Sequence, residues 1–245
     1  MRYLLLLVSF NVYSFELLDA TRFTGHSNLG MPVTVVYENQ ILGGFDNYGK
    51  PMDEAVVRAN LVNYVSESRI ILDVESWRIL TNQRLDVNAR IHAEYFYRLL
   101  QIVKEELPDV SVGFYGWPVN PRYALKADYL INDHIEANRL LSPTMQLSDA
   151  LYPSFYVDHD EPGHQAYTHS AHLYEAKKFL KPVYPFVWHR GPGVIFNEEV
   201  LPVHLINQFC VFLRENASGA VWWSISTESW DPNNTWYHWA YPCLI

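Results

Sequence analysis

Residues 69–78 read Arg69-Ile70-Ile71-Leu72-Asp73-Val74-Glu75-Ser76-Trp77-Arg78. An apolar run ends in two acids separated by one residue. Such runs are typical of strands buried on both faces of a parallel sheet. In a strand, residues two apart point to the same side, so Asp73 and Glu75 project together while Val74 packs behind them. Acids are costly to bury at the end of an apolar strand. Two carboxylates side by side repel when ionised, which raises the proton affinity of one and makes it a usable acid near neutral pH. Glycosidic cleavage needs this chemistry: one group protonates the leaving oxygen while another stabilises charge at the anomeric carbon. Two acids on one strand are too tightly coupled to flank a scissile bond from opposite sides. The spacing therefore favours substrate assistance, with an N-acetyl carbonyl as nucleophile, Asp73 orienting it, and Glu75 as acid and then base. From spacing alone, a D-x-E that caps the next helix or bridges to Arg78 reads the same way.

Five further apolar runs recur outward from this one, at Val33–Glu38, Val110–Gly116, Ala150–Val157, Pro182–Arg190 and Gly219–Ser226. Helix-like stretches lie between them at Asp53–Ser66, Arg84–Leu107, Asp128–Leu141, Gln165–Leu180 and Asn197–Asn216. In the second of these, Ile91, Tyr95, Leu99, Ile102 and Val103 fall at three- and four-residue spacing, which predicts one buried helix face. Asn197 followed by Glu198 and Glu199 predicts a helix start, because the amide caps free N–H groups and the acids suit the dipole. Strand alternating with helix means a parallel sheet. No Gly-rich phosphate loop follows the first strands, which leaves a nucleotide-binding doubly wound sheet without support. The pattern predicts an α/β fold, a (β/α) barrel of the TIM type with six strands, or seven if residues 4–13 supply one. It is incomplete if they do not.

Composition narrows the classes further. The chain has 245 residues, 49% hydrophobic and 18% charged, which excludes disorder. Eighteen Lys+Arg against 27 Asp+Glu give a charge of −9, so no nucleic-acid partner is expected. Cys210 and Cys243 allow one bridge and no disulfide framework. Neither G-x-S-x-G nor paired C-x-x-C occurs, which removes the serine-hydrolase and zinc-ribbon readings. His159, His164, His169 and His172 cluster with Asp158, Asp160 and Glu161. A solvated loop accounts for them more simply than a metal site, and no metal or cofactor is expected. Residues 1–14 read either as a signal peptide, with Met1-Arg2, the apolar stretch Tyr3–Phe10 and a cleavage region at Val12-Tyr13-Ser14, or as the first barrel strand. The stretch is too short to span a membrane. Residues 15–245 are expected to form a single domain. The signal reading implies a secreted or lysosomal glycoprotein, with Asn216-Ala217-Ser218 and Asn233-Asn234-Thr235 as acceptor patterns.

Aromatic residues are frequent, at 15% with 17 Tyr and 8 Trp. These flat, hydrogen-bonding side chains stack on sugar rings or fill interfaces. Tyr37, Tyr115, Tyr156 and Trp223 sit at or near the C-terminal ends of four different candidate strands, where a barrel places its site. A tyrosine there can hydrogen-bond a developing oxyanion or a sugar hydroxyl, and a tryptophan can wall an acetyl group.

Several segments then match one family in order. Ile71–Arg78 resembles the catalytic strand of the animal and venom hyaluronidases, an apolar run followed by Asp, any residue, Glu, a small residue, Trp and Arg. Gly113-Phe114-Tyr115-Gly116-Trp117-Pro118 resembles that family's G-[FY]-Y-G-[FYW]-P turn. Leu151-Tyr152-Pro153-Ser154-Phe155-Tyr156 is similar to its L-x-P-S-[VI]-Y strand, Val183-Tyr184-Pro185-Phe186 to its V-L-P-Y strand, and Gly219–Trp223 to its closing strand. The resemblance implies an endo-β-N-acetylhexosaminidase that cuts hyaluronan, or chondroitin, with retention, acting as a monomer without a cofactor. It makes Glu75 the proton donor and Asp73 the group that orients the acetamido group. Tyr156 would assist there, while Tyr37, Tyr115 and Trp223 line the subsite. Arg78 would face the sugar carboxylate, and Trp117 and Trp188 occupy groove-lining positions. The chain departs from the family in having Val119 and Asn120 where it carries cysteines, Phe186 in place of a tyrosine, Ser224-Ile225-Ser226-Thr227 after Trp223, and a shorter stretch between Trp77 and Gly113. Phe10-Asn11-Val12-Tyr13 resembles the family's first strand. A catalytically weak or inactive glycosaminoglycan-binding relative is the alternative, since −9 opposes a polyanion unless Arg58, Arg78, Arg122, Lys126 and Arg190 gather at the groove. A third reading is an unrelated barrel hydrolase of other N-acetylated sugars.

Overall fold

A computed structural model describes residues 15–21, 30–119, 128–156, 162–191 and 199–224. Its main elements are β1 (Glu16–Ala20), β2 (Met31–Pro32), β3 (Thr34–Tyr37), α1 (Glu38–Ile41), α2 (Glu54–Leu61), β4 (Arg69–Asp73), β5 (Leu80–Thr81), β6 (Arg84–Leu85), α3 (Ala89–Glu106), β7 (Ser111–Phe114), α4 (Asp128–Leu147), α5 (Pro162–Lys177), β8 (Phe186–Trp188), α6 (Val203–Asn216) and β9 (Gly219–Trp223).

Parallel pairing runs round a ring. Val33 alone separates β2 from β3, so residues 31–37 form one edge-sharing segment that pairs with β1 at its start and with β4 at its end. β4 pairs with β7, and Tyr115 just beyond β7 bridges to Tyr152. Residues 151–154 then bridge to 183–186 through Leu151–Val183 and Ser154–Phe186. β8 pairs with β9, and β9 returns to β1 with Leu18 opposite Val221. Seven strand positions among the described residues therefore close a barrel. The six expected strands are present. A seventh strand position is supplied by Glu16–Ala20, so the ring closes through described residues alone. Residues 1–14, with the signal or first-strand reading placed on them, lie outside the described residues.

The two-residue period of the strands divides the core into two layers. Leu18, Val35, Ile71, Tyr152, Tyr184, Phe186 and Val221 meet inside the barrel. Their neighbours Leu17, Val36, Ile70, Leu72, Val112, Phe114, Val187, Ala220 and Trp222 pack outward against the helices. Arg69, Glu16 and Tyr184, on the inward-facing register, fill the N-terminal end. The Tyr184 hydroxyl donates to Glu16 at 2.8 Å, the Arg69 guanidinium approaches Glu16 at 3.5 Å, and it lies 4.7 Å from the Tyr184 ring centre. Burial, with the Glu16 carboxylate, pushes the Tyr184 phenol up to about 12.

The helices correct several sequence expectations. Asp53 caps α2 by accepting from the N–H groups of Ala55 and Val56. α3 begins at Ala89 rather than Arg84, because Asn82 and Gln83 take φ values of 50° and 66° and turn the chain into the β5–β6 hairpin. Its buried face runs through His92, Phe96, Leu99, Leu100 and Val103, which leaves Ile91 48% exposed and outside the core. α6 begins at Val203, since Pro202 holds extended geometry immediately before it and residues 199–201 are tied to 189–191 by backbone hydrogen bonds. Asn197 lies outside the described residues. Cys210, buried on α6, is disulfide-bonded, and Cys243, the chain's other cysteine, lies outside the described residues.

Close approach explains two of the strand glycines. A Cβ at Gly219 would stand 2.0 Å from the Glu16 carbonyl oxygen and 2.8 Å from the Tyr184 ring, and one at Gly113 would stand 2.3 Å from the Ala150 carbonyl oxygen. Gly219→Ala should therefore force β1 and β9 apart and destabilise the fold by about 1–3 kcal/mol. Urea unfolding of the variant beside the parent checks this; an unchanged midpoint would contradict the packing.

Candidate active site

The inward register carries the site. Ile71 lies in the barrel interior, so Asp73, two residues on, faces inward at the C-terminal rim. Tyr37 stands opposite Asp73 in the β3–β4 pairing, and Trp188 stands opposite Trp223 where β8 and β9 end. Tyr115 follows β7, its N–H donating to the Leu72 carbonyl at 2.9 Å. Gly116, at φ 84°, then takes the left-handed turn that leads into Trp117. Tyr156 continues the inward positions 152 and 154.

These side chains form one wall. Ring centres of Tyr115 and Tyr156 lie 6.3 Å apart, Tyr156 and Trp223 5.9 Å, Tyr156 and Trp188 5.9 Å, and Trp188 and Trp223 5.4 Å. The Trp223 indole N–H donates to the Tyr37 hydroxyl at 3.2 Å, and the Tyr115 hydroxyl donates to Ser154 Oγ at 3.2 Å. Burial pushes the Tyr115 phenol up to about 12 and holds that of Tyr156 well above its ordinary value. Both remain neutral O–H donors at any working pH.

Asp73 has the perturbed carboxyl. Burial first, then the negative charges of Glu75 and Glu38, raise it from 3.8 to about 7. Its Oδ1 is buried without a hydrogen-bond partner among the described residues. Glu75 is exposed at the cleft surface, and Asp73 is the inner acid of the pair. A cavity of about 470 Å³ lies on one side, lined by Tyr37, Glu38, Asn39, Tyr48, Asp73, Glu75, Ser76 and Arg78. On the other side, a cavity of about 230 Å³ includes Tyr115, Gly116 and Trp117 in its lining. Asp73, Glu75 and Arg78 line both, so the acid pair stands between two spaces, the larger of a size typical for small-molecule sites.

The remaining candidates divide. Arg78 is exposed and makes no ion pair among the described residues, which answers the bridging alternative for the D-x-E pattern. Trp117 is mostly core, stacked on Phe114 at 4.6 Å and edge-on to Phe96 at 4.4 Å, with part of its surface in the smaller cavity. Phe186 packs against Tyr115 at 4.8 Å. Arg58 is not at the groove: it pairs with Glu105 and Glu106 of α3. Arg190 lines neither cavity, and Arg122 and Lys126 lie outside the described residues. His169 and His172 are buried against Phe155, at 4.5 and 5.1 Å, and the His172 ring donates to the Pro118 carbonyl at 2.6 Å. This replaces the solvated-loop reading for those two with core packing; His159 lies outside the described residues, which hold no group of three metal-ligating side chains. Glu38, Tyr48, Ser76 and Ser154 are site neighbours that the sequence pattern did not single out. No helix among the described residues is long and apolar enough to cross a membrane.

No protein-family model and no curated protein matches this chain. Among solved structures, the monoclinic crystal structure of bee venom hyaluronidase matches with a TM-score of 0.69 at 15% identity, covering 94% of this chain and 95% of that one. Bee venom hyaluronidase in complex with a hyaluronic acid tetramer matches with a TM-score of 0.68 at 16% identity, covering 93% and 95%. The chain has that barrel fold.

The Asp73 carboxyl makes a stability prediction. Its folded value of about 7 exceeds its ordinary 3.8, so the folded state holds a proton that the unfolded state releases between those pH values. Stability from this group is fully present below about pH 4 and is lost as pH rises to about 7. The loss is on the order of 4 kcal/mol. Asp73→Asn should melt close to the parent at pH 4 and well above it at pH 8. A melting difference independent of pH would contradict the burial of this carboxyl.

Proposed function

We propose that the chain is a glycosidase, an endo-β-N-acetylhexosaminidase that cuts hyaluronan, or chondroitin, with retention of configuration. The observation that carries this reading is the pair Asp73–Glu75 at a barrel rim, the inner carboxyl shifted to about 7, between cavities on both sides and beside an aromatic wall. A cleft extending on both sides of the acids suits cleavage within a chain.

The chemistry follows from one proton. Below about pH 7 Asp73 holds it. The N–H of a bound acetamido group is a donor and needs an acceptor, so Asp73 passes its proton to Glu75 as substrate settles. Glu75 then protonates the glycosidic oxygen while the C1–O bond breaks, and the acetamido carbonyl oxygen bonds to C1 from the opposite face. The resulting oxazolinium cation lies beside the Asp73 carboxylate. The leaving saccharide departs. Water next attacks C1 and gives a proton to Glu75, the C1–O bond to the acetamido group opens, and the product keeps its β configuration. The Tyr156 hydroxyl donates to the acetamido oxygen, and Tyr37, Tyr115 and Trp223, with Trp188 behind them, wall the sugar. Arg78 meets the uronate carboxylate, and Trp117 lends one edge to the smaller cavity.

A second reading is favoured by the charge of the lining. Among the described residues, Glu38, Asp73 and Glu75 face Arg78 alone, which opposes a polyanion and fits a weakly active or silent binding relative. Release of reducing N-acetylhexosamine ends from hyaluronan and chondroitin separates the two. The parent should hydrolyse at acidic to neutral pH with an alkaline limb near 7, and Glu75→Gln should lose about 10²–10⁴-fold. Equal inertness of both with polymer binding retained, or a rate unchanged from pH 4 to 9, would sink the enzyme reading.

A further inference from the structure

We propose that Glu38 is a positioning residue for this reaction: its carboxylate grips the backbone at Glu75 and Ser76 and thereby sets where the proton-donating side chain stands. The inference rests on the glycosidase reading for its kinetic consequence, although the contacts do not depend on it. Glu38 opens α1 directly after Tyr37, and it is 5% exposed. Its Oε2 accepts from the Glu75 N–H at 3.2 Å and the Ser76 N–H at 3.0 Å, and its Oε1 accepts from the Ser76 hydroxyl. Ser76 Oγ in turn accepts from the Gly49 N–H at 2.7 Å, and the Trp77 indole donates to the Lys50 carbonyl at 2.9 Å. One buried carboxylate thus ties the end of the acid-bearing segment to the loop that carries Tyr48, which lines the larger cavity.

This contact is more than a fold-stabilising turn. β4 ends at Asp73, so Glu75 lies beyond the last paired residue and its backbone is not held by a neighbouring strand. The Glu38 carboxylate supplies that hold. It makes no ion pair among the described residues, and its negative charge therefore remains beside the acid pair. A glutamine keeps one acceptor in place of two and turns its NH₂ either toward the two N–H groups or toward the Ser76 hydroxyl, so at least one of the three contacts must be remade and the charge is lost. The charged and titratable groups around Asp73 are Glu75 beyond its own strand, Glu38 on α1, Tyr37 on β3, Tyr48 from the following loop, Tyr115 after β7, Tyr156 after residues 151–154, and Arg78 at the cavity edge. Glu75 and Glu38 are the two carboxylates that raise the proton affinity of Asp73.

The test compares Glu38→Gln and Ser76→Ala with the parent on hyaluronan across pH. Glu38→Gln should lower kcat by about 10–100-fold with KM little changed, because a small displacement of the acid is costly. It should also move the alkaline limb down by roughly half a pH unit, because a negative neighbour is gone. Ser76→Ala keeps that charge, so kcat should fall less and the limb should stay. A kcat within twofold of the parent, or a fixed limb with a folded Glu38→Gln variant, overturns the assignment. If the parent hydrolyses nothing, the glycosidase reading falls and a second measurement decides: hydrogen exchange at the Glu75 and Ser76 backbone N–H groups in the parent and in Glu38→Ala, which removes the acceptor of both. Exchange there should quicken in a folded variant, and unchanged protection rejects the role of Glu38.

Discussion

The pairing of β1 with both β9 and the start of residues 31–37 closes the barrel, and the site depends on that closure. In a closed parallel ring, every second residue of every strand faces one interior, and all the strands end at the same rim. Tyr37, Asp73, Tyr115, Tyr156, Trp188 and Trp223 meet because each continues the inward register of its own strand past the last apolar residue. An open sheet would hold the same side chains on one face without bringing the two edges together. The Trp223–Tyr37 hydrogen bond joins side chains separated by 186 residues in sequence. It exists because β9 and residues 31–37 flank the same short strand.

The inner and outer acids of the D-x-E pair acquire different properties from their depth. Asp73 is surrounded by wall and by negative charge, and its proton affinity rises; Glu75 is exposed at the cleft. Its depth gives Asp73 a proton to exchange near neutral pH. The aromatic excess separates by the same logic. Part of it stands at the rim as a wall, while Phe96, Phe114, Trp77 and most of Trp117 pack edge-to-face or stacked behind it and hold the helix α3 against the sheet.

Much of the fold was legible in the sequence, because strands buried on both faces write themselves as apolar runs and six of them do so here. β1 was not: Glu16 and Asp19 flank Leu17 and Leu18 and leave only two apolar residues in a row, since Glu16 belongs to the polar cluster at the barrel's N-terminal end, and the run looks like a loop. Pro202 outweighed the cap-like signal at Asn197, and the left-handed residues Asn82 and Gln83 ended a helical pattern that spacing alone would have continued. The site was legible wherever a residue ended a strand. Glu38 was hidden because its role comes from a carboxylate folding back onto a neighbouring segment. That Asp73 holds a raised proton affinity follows from burial that no spacing displays.

The proposed reaction turns on an acetamido group acting as the nucleophile between Asp73 and Glu75. The direct measurement is the anomeric configuration of the first-formed reducing end, followed by proton NMR during hydrolysis of hyaluronan by the parent protein. Retention through an oxazolinium predicts that the β anomer appears first and the α anomer grows in only as the product mutarotates. An α anomer appearing first would mean direct attack by water and would contradict the account.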